Sequence, residues 1–277
     1  FLPSKSLAPS SLSAHTWTQV GVDVVGEDYN DNSGYSAAFN SDGTIMAVGS
    51  MYNDGSSGED SSAGHVRVSA WNGTGWAQMG ADIDGVAALD YSGSSLALSG
   101  SGTRVAVGAL GHNYQAGHVR VYSWDSSSMV WNQQGTDIDG DTVQDYFGSS
   151  VSLNYDGNVV AVGASQQNNF NSGSGYVRLL QWSGSAWSRM GSDILGEASL
   201  DKFGASVSLN ADGHTVAIGA PYNSGGLGYD DDTGHVRVFD WNTSTALWVQ
   251  RGDDIDGETS GDLAGTAVAL NNFGDIL

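Results

Sequence analysis

The chain has 277 residues, no cysteine, and 31 acidic against nine basic side chains, for a formal charge of −22. Disulfides and thiolate metal sites are therefore excluded, and so negative a chain has nothing with which to neutralise nucleic acid or an anionic membrane. A hydrophobic content of 39% allows a sizeable core, forty glycines against three prolines call for many tight turns, and no apolar run approaches a membrane span.

In chain order, residues 1–16 ("FLPSKSLAPSSLSAHT") lack the basic start and apolar centre of a signal peptide and read as a linker or a processed stub. From residue 17 the sequence repeats itself. The phrase Gly-x-Asp-Ile/Val-x-Gly begins at Gly21, Gly80, Gly135, Gly191 and Gly252. A second phrase, Asp-x-x-Gly-x-Ser/Ala, begins at Asp31, Asp90, Asp145, Asp201 and Asp262. Both series step by 59, 55, 56 and 61 residues, which makes a chance resemblance untenable.

Each unit reads as four strands. "SVSLN" alternates, "VVAVGA" is continuously apolar, and "HVRVYSW" and "WNQQGTDI" alternate again. The first two are joined by Asn-x-Asp-Gly, a tight-hairpin signal. No segment carries a capped helical period. Repetition of four-stranded units of this length predicts an all-β fold, a β-propeller of four-stranded blades with four complete repeats plus partial blades at both ends. The units fall at about 27–84, 86–139, 142–195 and 198–256, with a partial one at 258–277, and the pattern is expected to continue beyond the given chain.

The units at 145–165 and 201–221 open with Phe147-Gly148 and Phe203-Gly204 and close with Gly163-Ala164 and Gly219-Ala220-Pro221. In this the chain resembles the FG-GAP repeat, the blade of the integrin α-subunit propeller. Elsewhere Ser33, Ser92 or Ala264 stands in place of Phe, and the following glycine stays. The resemblance implies a propeller and, from the family's surface proteins, adhesion or structural roles. Some blades of that family carry a calcium loop, Asp-x-Asp/Asn-x-Asp-Gly-x-x-Asp. Here its first and last carboxylates are replaced by Ser152 and Val160 in one unit and by Ser208 and Val216 in another, so calcium is disfavoured and the motif is expected to make a turn only.

Other constellations recur blade by blade. Arg67, Arg120, Arg178 and Arg237 are expected to pair with Asp82, Asp137, Asp193 and Asp254 as blade-packing ion pairs. His65, His118 and His235 occupy one position in three blades and read as packing residues, with Tyr176 at the fourth. The tryptophan pairs 71/76, 124/131, 182/187 and 241/248 read as cross-strand packing, with sugar stacking as the rival. Acidic loops at 53–60 and 229–234 read as solvated, with cation binding as the alternative. Asn72 and Asn242 begin Asn-x-Ser/Thr sequons and are candidate N-glycosylation sites.

No nucleophile elbow, phosphate loop or His-Glu-x-x-His motif is present. The resulting expectation is a non-catalytic extracellular adhesion or structural module. Its rigid blades would present loops to a protein or glycan partner, without nucleic acid or membrane insertion, and it would assemble with other copies or modules. Two alternatives stand beside it: a carbohydrate-active enzyme, lyase or glycosidase, on a propeller scaffold, and a subunit of an extracellular fibre or coat. A cluster unique to one blade would favour the enzyme. At the level of sequence the blades look uniform.

Overall fold

The structure, a computed structural model, describes residues 17–55, 61–165, 173–224 and 232–277. The stub at 1–16 and most of the two acidic loops lie outside the described residues.

Four antiparallel sheets follow one another along the chain. The first holds β1 (Ser33–Phe39), β2 (Ile45–Ser50), β3 (His65–Trp71), β4 (Trp76–Gln78) and β5 (Ile83–Asp84). The second holds β6 (Ser92–Leu98), β7 (Arg104–Ala109), β8 (His118–Asp125), β9 (Val130–Gln133) and β10 (Ile138–Asp139). The third holds β11 (Phe147–Leu153), β12 (Val159–Ala164), β13 (Tyr176–Trp182), β14 (Trp187–Arg189) and β15 (Ile194–Leu195). The fourth holds β16 (Ser206–Leu209), β17 (Thr215–Ala220), β18 (His235–Asn242), β19 (Leu247–Gln250) and β20 (Ile255–Asp256). The last two segments of each blade both pair with its third strand, so they are one outer strand broken in two. The result is a β-propeller of four-stranded blades. Its inner strands lie side by side, β6 between β1 and β11, and β11 against β16.

The core lies between blades. Val159, Ala161, Val177 and Leu179 of the third blade meet Val216, Ile218 and Phe239 of the fourth in one apolar cluster. This explains the nearly continuous apolar second strands: each is covered on both faces. Phe147 and Phe203 are fully buried, each contributing about 1.5–3 kcal/mol of burial.

The backbone makes the closest inter-blade contact. A bulge between Phe147 and Ser150 turns two hydroxyls in opposite directions. Ser149 Oγ donates to Gly163 O within the blade at 3.3 Å, and Ser150 Oγ donates to Gly204 O of the next blade at 2.7 Å. The same inter-blade bond recurs from Ser36 to Gly93, Ser95 to Gly148 and Ser206 to Gly265, at 2.6–2.7 Å. At the outer edge, Trp131, Trp187 and Trp248 donate their indole N–H to Met79, Gln134 and Met190 carbonyls of the preceding blade at 2.8–2.9 Å. The tryptophan pairs therefore act as inter-blade staples.

The Asn-x-Asp-Gly segments form the hairpins between first and second strands. Asn154 Oδ1 accepts from Val159 N at 2.9 Å, and Gly157 N donates to Asn154 O at 2.9 Å. Asp42 Oδ1 accepts from the Thr44 N–H and hydroxyl, and Asp212 Oδ1 from His214 N, so these carboxylates serve the turn. Among the described residues no helix is long and apolar enough to cross a membrane.

Candidate functional site

Strand pairing decides which loops share a face. Ser92 at the start of β6 pairs with Ala109 at the end of β7, and Ala109 pairs with His118 at the start of β8. The linker that enters the second blade (85–91) and the loop from β7 to β8 (110–117) therefore leave the sheet at one edge. There they form a cavity of about 480 Å3 walled by Leu89, Tyr91, His112, Tyr114 and Gln115.

Two residues in this cavity are joined as no equivalent pair among the described residues is. Asp90 Oδ1 accepts from His112 Nδ1 at 3.0 Å, while Asp90 Oδ2 accepts from Ala87 N at 3.0 Å. The Asp90 side chain is buried and that of His112 is 28% exposed. The corresponding acids of the first and fourth blades, Asp31 and Asp201, accept instead from the amides of Asn53 and Asn223, both at 3.0 Å. In the third blade Asp145 accepts from the Tyr176 hydroxyl at 3.1 Å.

The loop is held in an unusual backbone state. Asn113, Tyr114 and Gln115 are consecutive left-handed residues, with φ of 48°, 57° and 69°. Each costs roughly 1–2 kcal/mol, and local bonds hold them in place. Gly117 N donates to His112 O at 3.0 Å, Gly111 N to Asp90 O at 3.0 Å, and Tyr146 N of the next linker to Gln115 O at 2.9 Å. Below the pair, the buried His118 ring lies 4.2 Å from the His112 ring, centre to centre. Burial, reinforced by His112, pushes the His118 pKa down to about 3, so it is a neutral imidazole at neutral pH.

With Nδ1–H directed to Asp90, the other ring nitrogen of His112 keeps a lone pair, and the carboxylate stabilises positive charge on the ring. The arrangement suits taking a proton from water. A second cavity, of about 490 Å3, lies on the same face of the first blade and includes Tyr29, Asp31 and Tyr52. Tyr52 and Tyr91 meet edge to face at 5.6 Å where the two cavities adjoin.

The arginines lie elsewhere, on the third strand of each blade, facing acids at the break in the same blade's outer strand. Arg67 bonds both oxygens of Asp82 at 3.0 Å, Arg120 those of Asp137 at 2.8 and 2.5 Å, and Arg178 those of Asp193 at 3.0 and 2.8 Å. Arg237 instead donates twice to Gln250, at 3.1 and 2.7 Å, and stands 3.5 Å from Asp254. A second acid, absent from the expected set, reaches three of these arginines: Glu27 to Arg67, Asp141 to Arg178 and Glu197 to Arg237. Its sequence signal is the residue after the final glycine of the Gly-x-Asp phrase, and Arg120 lacks it because Val86 stands there. His65, His118 and His235 open the third strands of separate blades and are buried, 3.7, 3.9 and 3.6 Å from Asp82, Asp137 and Asp254. Asn72 and Asn242 lie exposed where third strand turns into fourth. Asp54, at the described end of the first acidic loop, accepts from Ser61 N and Ser62 N at 2.9 and 3.1 Å. Residues 56–60 and 229–231 of the two acidic loops lie outside the described residues.

No family model matches the sequence, and no curated protein matches it. Solved structures do share its fold. A Bacteroides uniformis protein assigned as a 6-phosphogluconolactonase is similar over 81% of this chain and 55% of its own, with a TM-score of 0.52 and 14% identity. A Bacteroides fragilis protein with the same assignment is similar over 83% and 55%, at 0.52 and 13%. The periplasmic gluconolactonase of Pseudomonas aeruginosa is similar over 82% and 58%, at 0.51 and 14%. The chain thus spans just over half the length of these structures, and at such identities the likeness is one of fold, a β-propeller.

Two expectations are corrected. The non-catalytic adhesion or structural role, and with it the expectation that the protein is not an enzyme, drew on the integrin-like resemblance. The propellers that the chain matches carry the names of enzymes. The blades are also not uniform: the second alone, among the described residues, places a histidine on the acid that opens its inner strand.

Proposed function

We propose that this propeller is a carbohydrate-active hydrolase that opens a neutral sugar ester or lactone at the loop face of its second blade. The observation that carries the reading is the Asp90–His112 pair at the wall of a 480 Å3 cavity. His112 takes a proton from water, the water oxygen adds to the carbonyl carbon, and the proton passes to the departing sugar oxygen as the acyl–oxygen bond breaks. Asp90 stabilises the imidazolium in between. Glycoside hydrolysis fits less well, because it calls for two carboxylates across the bond and Asp90 is buried behind His112. The names of the similar structures support lactone chemistry.

Charge selects the substrate. No lysine or arginine lines the cavity, and the chain carries −22. A phosphorylated sugar would be repelled, so the substrate is uncharged. The blades are FG-GAP-like by their Phe-Gly and Gly-Ala phrases, the protein works outside the cell, and Asn72 and Asn242 carry glycans at the rim, away from the cavity.

The test is hydrolysis of glucono-δ-lactone and of its 6-phosphate by the full chain. The expected result is turnover of the neutral lactone with a kcat/KM at least tenfold above that for the phosphate. Preference for the phosphate, or no hydrolysis of either, overturns the reading.

A further inference from the structure

Three positions stand at the loop edge of the first, second and fourth blades: the acid before the inner strand, the residue three beyond the end of the second strand, and the first residue of the third strand. The first blade has Asp31, Asn53 and His65 there, and the fourth has Asp201, Asn223 and His235. The second blade has Asp90, His112 and His118. One change of residue type, amide to imidazole, converts a structural cluster into two imidazoles and a carboxylate. One ligand atom from each lies within 4.8 Å of the others.

We propose that Asp90, His112 and His118 form a binding site for one divalent transition cation, zinc by the chemistry of the donors; functionally this rests on the reading of the cavity as a catalytic centre. Two histidines and a carboxylate with a fourth position left for water is a composition of catalytic zinc sites. Tetrahedral ligands at about 2.0–2.1 Å from zinc stand about 3.3 Å apart, and Asp90 Oδ1 and His112 Nδ1 are already at 3.0 Å.

The His118 side chain is 3% exposed; its ring lies 4.2 Å from the His112 ring, and its Nδ1 stands 3.9 Å from Asp137 Oδ2. Ala87 N holds Asp90 Oδ2, which fixes the carboxylate with Oδ1 toward the cluster. Each of the three other His-carboxylate clusters among the described residues includes an acid that a blade arginine contacts: Asp82, Asp137 and Asp254. A guanidinium beside those acids opposes a cation, and none stands on Asp90.

In the loaded form Asp90, His112 and His118 would hold the cation, which would take the place of the proton between Asp90 and His112 and supply a Lewis acid beside the cavity. The free pair and the loaded cluster are two states of one centre.

The experiment is calorimetric titration of zinc into the chelator-stripped full chain, in excess magnesium to occupy the acidic surface. His112→Asn restores the residue type of the first and fourth blades and so keeps the fold. Asn223→His recreates the cluster in the fourth blade. Wild type is expected to bind one zinc, His112→Asn to bind at least 100-fold more weakly, and Asn223→His to bind two. Equal binding by wild type and His112→Asn, or no binding by either, overturns the inference. Lactone hydrolysis is read in parallel on stripped and loaded protein. Hydrolysis without zinc binding sinks the cation site and leaves the hydrolase. Zinc binding without hydrolysis in either state does the reverse.

Discussion

Gly163 lies against Gly204 so closely that a Cβ on Gly163 would fall 2.0 Å from the Gly204 carbonyl oxygen. Gly49 and Gly108 meet Gly93 and Gly148 in the same way, each at 2.3 Å. The two glycines that punctuate the repeat, one after Phe and one before Ala, are therefore the two halves of one inter-blade contact. Gly163→Ala forces backbone apart where nothing flexible can yield. A loss of about 1–3 kcal/mol, seen as a lowered Tm, is expected. Gly75→Ala, with open space around its Cβ position, is the control and should change little. Equal Tm values for the two variants would contradict the contact.

This contact marks how far the sequence could be read. The strands, the hairpins and the repeat were legible because period-two patterning and Asp-Gly turns are local signals. That Phe147-Gly148 and Gly163-Ala164 belong to different inter-blade junctions was not, since it depends on which blade packs on which. His112 was hidden for a related reason. The glycines that flank its loop stand nine positions apart where those of the other blades stand twelve or fifteen, and length differences obscure the register. Counted from the end of the second strand, His112 stands level with Asn53 and Asn223, and the difference in chemistry is then plain. The left-handed run at 113–115 carries no glycine to announce it.

Acid should weaken the ion pair that ties the third strand of the second blade to its outer strand. The two hydrogen bonds from Arg120 hold the Asp137 carboxyl down to about 2, below its ordinary value of 3.8. A folded-state value below the unfolded one stabilises the protein above about pH 4, and that contribution is lost as pH falls toward 2. Arg120→Gln should therefore be less stable than wild type at pH 7, with the gap closing between about pH 4 and pH 2. Urea unfolding of both proteins across that range checks this. A gap independent of pH would assign the effect to packing alone.

The geometry of the Asp90–His112 pair depends on a glycine beside it. A Cβ on Gly111 would fall 2.0 Å from Leu89 O and 2.5 Å from the Tyr91 ring. Gly111→Ala should push the His112 loop off the linker that carries Asp90. A displacement near 1 Å costs about 100-fold in rate when a catalytic group is misplaced. Steady-state kinetics should show the fall mainly in kcat, with Tm lowered only modestly. A fall confined to KM would indicate that the loop binds substrate without positioning the base.

The central claim is that His112, held by Asp90, is the base of a hydrolytic centre. The measurement that tests it most directly is the kcat of glucono-δ-lactone hydrolysis by the full chain and by His112→Asn, with Tm recorded for both. Loss of a general base lowers rate by about 10²–10⁴. The account predicts a fall in that range with Tm nearly unchanged, because asparagine already serves at this position in two other blades. Equal rates in the two proteins would contradict it.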